Sequence, residues 1–237
     1  MNALLRLLLI GFLQIPILEA QSTMNVPKIS PIQKVSFISI SEALENAASL
    51  QTIGVQNWEA FDYIPKVNFR IAHDTNTLYL KFYVTENHIL AQHTQTNAST
   101  HRDSCVEFFI DPDQSGGYYN FEFNCIGTIH LAYGPDRNAR QFVDPNLIKE
   151  AIFIESTLGN APFAEQSGTF EWEMAVAINA KAFALTPELV FNSLIAKANF
   201  YKCGDDTQIP HYISWSNIGT ERPDFHRPEY FGTLLFD

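Results

Sequence analysis

The chain has 237 residues and carries 15 Lys and Arg against 26 Asp and Glu, a formal charge of −11. That balance excludes the basic face a nucleic-acid partner requires, and no polybasic run points to an anionic membrane surface. At 46% hydrophobic and 17% charged, with 19 Phe and 9 Tyr, the composition also excludes a disordered chain and favours a full core with a β-rich interior.

The first twenty residues read as a secretory signal peptide. Arg6 precedes the run from Leu7 to Leu18, apolar apart from Gln14, and Ala20 supplies a small residue before Gln21. The run is short for a membrane span, so no membrane insertion is expected once the signal is removed, and the protein is expected to be secreted or periplasmic. In that oxidising setting Cys105, Cys125 and Cys203 can form one disulfide and leave one thiol. Residues 21–57 are expected to be an N-terminal extension packed on the domain, with a helix over 41–50 (SEALENAASL) behind a Ser cap.

Beyond residue 67 apolar and polar residues alternate, or fall in short aromatic and β-branched runs, with turn residues every ten or so positions. Strands are predicted over 67–72, 78–85, 105–110, 118–125, 129–133, 151–156, 170–178, 194–201, 212–215 and 230–236, with a single helical turn at 180–184. The fold class is therefore all-β: one antiparallel β-sandwich over 58–237, jelly-roll or immunoglobulin-like, with one short N-terminal helix.

Between the third and fourth strands, Asp111, Asp113, Ser115, Gly116 and Glu122 fall on positions 1, 3, 5, 6 and 12 of an EF-hand loop. The flanks are strand-like rather than helical, so a hairpin turn built on Asp and Gly is expected instead. Signatures of zinc proteases, serine hydrolases and phosphate-binding loops are absent, and the seven His residues are scattered. Strand carboxylates such as Glu107 and Glu122 leave a glycoside hydrolase as an alternative. As two ionised groups on an open face, they would lack the pKa separation that such chemistry uses. A structural or haem-binding sandwich is a third reading.

Strand parity sorts the central residues. Val106, Phe108 and Ile110 share one face and Cys105, Glu107 and Phe109 the other; Tyr119, Phe121 and Phe123 oppose Asn120, Glu122 and Asn124. Paired through the hairpin, Glu107, Asn120, Glu122 and Asn124 would line one polar surface, offering the fixed donors and acceptors that sugar hydroxyls need. Cys203 falls on a face with Tyr201 and Asn199. Cys105 and Cys203 are thus the expected disulfide, with Cys125 buried and free.

The strings Asp103-Ser-Cys-Val-Glu-Phe-Phe-Ile-Asp111, Gly117-Tyr-Tyr-Asn-Phe-Glu-Phe-Asn124, Ile213-Ser-Trp-Ser216 and Phe231-Gly-Thr-Leu234 resemble the family 9 carbohydrate-binding modules, from about Trp58 to Asp237. The resemblance implies a β-sandwich that binds saccharides without cleaving them, often attached to glycoside hydrolases, and that can hold structural calcium; this protein is expected to act beside separate glycoside hydrolases. It also implies a terminal sugar clamped between two tryptophans, with an acid, amides and an arginine on its hydroxyls. Matched position by position, the acid is Glu107, the amide Asn120 and the next polar position Glu122. The downstream aromatic is Phe225, and the upstream one is His101, where the family has tryptophan. Asn124 and Arg222 complete the candidate set.

Overall fold

The computed structural model describes residues 21–237; the expected signal segment, 1–20, lies outside them. In chain order the elements are β1 (Thr23–Val26), α1 (Phe37–Ala47), β2 (Gln51–Ile53), β3 (Val55–Gln56), β4 (Lys66–His73), β5 (Thr77–Ala91), β6 (Cys105–Asp111), β7 (Tyr118–Asn124), β8 (Ile129–Gly134), β9 (Gln141–Phe142), α2 (Pro145–Ala151), β10 (Ile152–Ser156), β11 (Phe163–Asn179), β12 (Ile195–Cys203), β13 (Tyr212–Ser214) and β14 (Gly232–Phe236). One sheet runs β1-β14-β12-β6-β7-β8-β9, with β13 and β3 attached at β12. The second runs β10-β11-β5-β4-β2. Facing one another, they form the expected sandwich.

Residues 21–57 are woven into the sandwich rather than laid on it: β1 pairs in parallel with β14, β2 with β4 and β3 with β13. The helix also starts earlier than expected. Ser36 is its N-cap, accepting from Ser39 N at 3.2 Å while Ser39 Oγ accepts from Ser36 N at 3.0 Å. That reciprocal pair satisfies two end groups that Ser41, one turn further on, would have left open. Ile40, Leu44 and Ala48 then seat α1 on Ala72, Tyr79, Ala175 and Ala177 of the smaller sheet. A second helix, α2, adds to the single one expected; Asp144 caps it and Pro145 opens it.

Between the sheets, Phe200 stacks on Phe69 at 3.9 Å and on Phe108 at 4.8 Å, joining β4 to β12 and β6 through a continuous aromatic column. Beside this column lies one polar inclusion. Lys202 Nζ is 2.8 Å from Glu86 Oε2 and 2.8 Å from His211 Nε2, and Trp172 Nε1 donates to Glu86 Oε1 at 2.7 Å. The charges sit out of water and hold β5 and β12 together by satisfying each other. Trp172 and Trp215 are both core residues.

The Asp111–Gly117 turn is a hairpin and not an EF-hand. Gly116 N and Ser115 N donate to Asp111 and Asp113, and Gln114 and Gly116 take positive φ. Glu122 is on β7, turned away from the loop and bonded to Thr100 and Asn120.

Candidate functional site

Register places the polar residues more tightly than parity alone could. Tyr201 lies opposite Glu107, Glu107 opposite Glu122, and Glu122 opposite His130, so one row crosses β12, β6, β7 and β8 on the outer face of the larger sheet. The sequence predicts an open face here, but the face is roofed. Glu107 is only 2% exposed, and Asn120, Glu122 and Asn124 are buried. The roof consists of the 92–104 loop, the 135–140 loop and the 204–231 segment. Between them is a cavity of about 140 Å³ lined by His101, Glu107, Glu122, Arg137, Arg140, Cys203, Asp205, Tyr212, Pro223, Asp224, Phe225 and His226.

Burial splits the two carboxyls. Glu122 Oε1 accepts from Asn120 Nδ2 at 2.8 Å and Oε2 from Thr100 Oγ1 at 3.1 Å; His101 Nδ1 is 3.5 Å away and Arg140 Nη1 3.9 Å. Burial would raise its pKa, but the His101 hydrogen bond and the neighbouring imidazoles outweigh it and hold the pKa at about 2. Glu107 has no such cage. Its side-chain partner is the Cys203 thiol, 3.1 Å from Oε1. Burial, and then the Glu122 charge, push its pKa well above the usual carboxylate range. A neutral acid that can donate therefore stands beside an ionised one that accepts.

The walls are held as deliberately. Arg137 is paired with Asp224 at 2.8 Å. Arg140 Nη1 lies 3.3 Å from His226 Nε2, and Tyr118 Oη 2.8 Å from His226 Nδ1. Because a guanidinium only donates, Nε2 accepts and Nδ1 carries the proton toward Tyr118. Burial and then Arg140 keep His226 neutral, with its pKa depressed to about 3. Phe225 forms the apolar wall. It is stacked on Tyr201 at 4.2 Å and 11°, and flanked by Tyr212 at 6.1 Å and by Trp58 at 6.1 Å. Trp58 Nε1 bonds Thr220 O at 2.8 Å and so anchors the loop that carries Phe225, without itself lining the cavity.

Of the expected residues, Glu107, Glu122, His101 and Phe225 meet in the cavity, and Asn120 lies beneath it, holding Glu122. Asn124 does not line the cavity. Its amide bonds Asp103 and the His93 carbonyl, and its oxygen takes Thr128 N, which ties down the loop bearing His101. Arg222 is also displaced, lining a shallow outer groove with Arg137, Asp224 and Arg227. Arg137 and Arg140 supply the guanidiniums at the cavity instead. Sequence reasoning misses these two, together with Asp205, Tyr212, Asp224 and His226. The available signals are the arginine-bearing loop directly after β8 and the polar residues on either side of Phe225.

Cys105 and Cys203 stand opposite one another on β6 and β12, but the thiols are unbonded, and the Sγ of Cys203 is turned to Glu107. Cys125 is buried and free in the core. Cys105, Glu107 and Cys203 are the one trio of His, Cys, Asp or Glu ligand atoms, among the described residues, lying within 4.8 Å of one another. Two thiols make that trio soft, which does not fit calcium. At the hairpin, Asp111 Oδ2 and Asp113 Oδ1 accept from backbone N–H groups, and Asp111 Oδ1 is buried without a hydrogen-bond partner. No helix among the described residues is long and apolar enough to cross a membrane.

Comparison with known proteins bears on the fold and the family. A solved structure of a proposed carbohydrate-binding protein from Bacteroides uniformis is 35% identical, with a TM-score of 0.88 over 92% of this chain and 100% of that one. A family 9 carbohydrate-binding module from Caldicellulosiruptor kristjanssonii, solved with cellotriose, shares the fold at 14% identity and TM-score 0.56, covering 91% and 93% of the two chains. Its glucose complex gives 14% and 0.55, covering 91% and 96%. No functionally curated protein matches. The model of carbohydrate-binding family 9 matches residues 39–236, and the chain belongs to that family.

Proposed function

We propose that the protein binds a neutral saccharide without cleaving it, seating one sugar ring in the roofed cavity. The observation that carries this reading is the pairing of a neutral Glu107 with an ionised Glu122 under a Phe225 wall, between two guanidiniums. A pyranose has an apolar C–H face for the aromatic wall and a rim of hydroxyls needing both donors and acceptors. Arg137 and Arg140 face Glu122, Asp205 and Asp224, so no single sign dominates and a charged ligand is not favoured. A cavity of about 150 Å³ is known to hold benzene, so one pyranose, with part of its hydroxyl rim outside, is the most that the cavity of about 140 Å³ admits. Both oxygens of Glu122 are committed to protein donors, which suits a fixed acceptor better than a nucleophile. The reading extends to an exported protein working beside separate glycoside hydrolases.

Calorimetric titration with a panel of monosaccharides tests it, and the glucose bound by the Caldicellulosiruptor module makes gluco-configured rings the first to try. Arg140→Ala removes a charged donor worth about 1.5–3 kcal/mol, so affinity is expected to fall about tenfold or more. A folded wild-type protein that gave no heat with any saccharide would sink the proposal.

A further inference from the structure

One large aromatic, among the described residues, is left exposed. Phe142, on β9 at the free edge of the larger sheet, is 61% exposed. Its register partner is Ala132, which is itself opposite Asn120. Paired residues share a face, so Phe142 is on the same face as Glu107 and Glu122, in the row of Asn120 and next to the row of the two acids. Strands are about 4.8 Å apart, which puts Phe142, two strands beyond Glu122, about 10 Å from it across the sheet. The intervening contacts are continuous. His130 Nε2 is 3.8 Å from Glu122 Oε1, and the His130 ring meets Phe142 edge to face at 5.1 Å and 84°. Asn120 Oδ1 and His130 Nε2, both closed to solvent, have no hydrogen-bond partner beneath this surface. Ala132, between them and the edge, adds only a methyl group.

We propose that the binding site continues past the cavity: the cavity takes the terminal ring of an oligosaccharide, and Phe142 stacks the next ring. This inference rests on the carbohydrate reading above. The cavity volume admits one ring, Arg140 is in its wall, and Phe142 follows two residues on, so a chain that leaves past Arg140 would meet the sheet edge that carries Phe142. The apolar ring face there is solvated in the free protein and gains by being covered.

The test titrates wild type, Phe142→Ala and Phe142→Trp with matched pairs of sugars: glucose and cellobiose, xylose and xylobiose, mannose and mannobiose. Wild type is expected to bind the disaccharide of its preferred pair about 3- to 10-fold more tightly than the monosaccharide, the range an added aromatic stack gives. Phe142→Ala should abolish that advantage and leave monosaccharide affinity within about twofold, while Phe142→Trp should keep or enlarge it. Equal loss of both sugars in Phe142→Ala, or no loss of either, would overturn the inference, as would a wild type indifferent to chain length. Silence of wild type toward every pair would instead refute the carbohydrate reading, and this inference with it. Because Phe142 is exposed at an edge, all three proteins should melt together.

Discussion

The opposed ionisation of Glu107 and Glu122 makes the sharpest prediction, because two acids directly opposite each other should respond unequally to the same mutation. Glu122→Gln replaces a caged carboxylate with an amide whose NH2 would face the Asn120 or Thr100 donor. A pKa held at about 2 against an ordinary 4.5 is about 2.5 units, worth about 3 kcal/mol at neutral pH. Because that pKa is lowered on folding, the contribution is complete above pH 4.5 and is lost as pH falls toward 2. Glu107→Gln, by contrast, mimics the protonated acid and still accepts from the Cys203 thiol. It should cost under about 1 kcal/mol. A raised folded pKa stabilises below the ordinary 4.5 and loses that contribution as pH climbs through the raised value. Wild type should therefore gain less stability than Glu107→Gln on going from about pH 4 to about pH 7. Urea unfolding of the three proteins at about pH 3, 5 and 7 reads both effects. Equal destabilisation by the two substitutions at neutral pH would refute the assignment of one neutral and one charged acid.

The core offers two further checks. Phe200→Ala removes the centre of the Phe69–Phe200–Phe108 column and should lower the unfolding free energy by about 3–5 kcal/mol, measured by denaturant midpoint at unchanged slope. Lys202→Met leaves Glu86 charged and buried and should cost about 3–5 kcal/mol, whereas Lys202→Met with Glu86→Gln should recover a large part of that loss. Thermal melts of the single and double variants decide between these outcomes.

Parity makes the two faces of β6 and β7 readable from the sequence alone, because a period of two assigns each side chain to one side or the other. Val106, Phe108, Phe121 and Phe123 are in the core, as their alternation implies, and the register brings Glu107 and Glu122 together. Parity cannot say what covers a face. The roof over this one comes from loops far apart in sequence, which is why the pattern alone makes Glu107 an exposed ion and leaves Arg137, Arg140 and His226 unmarked. The same limit explains Asn124. Its strand position matches that of Glu122, but its partners Asp103 and His93 arrive from a loop twenty or more residues earlier. Local chemistry says more at the helices than periodicity does: Ser36 with Ser39, and Asp144 with Pro145, are caps legible in the sequence. Residues 21–57 look peripheral because their strands are short, and short edge strands carry little periodicity of their own.

Saccharide binding by this chain is a matter of location as much as affinity, so the most direct measurement is a crystal structure of the protein soaked with a disaccharide. One ring is predicted between Phe225 and Arg140 with hydroxyls on Glu107 and Glu122, and the second ring over Phe142. A sugar found instead on the opposite sheet, in the groove lined by Lys66, Asn68, Arg70 and Tyr83, would contradict both placements.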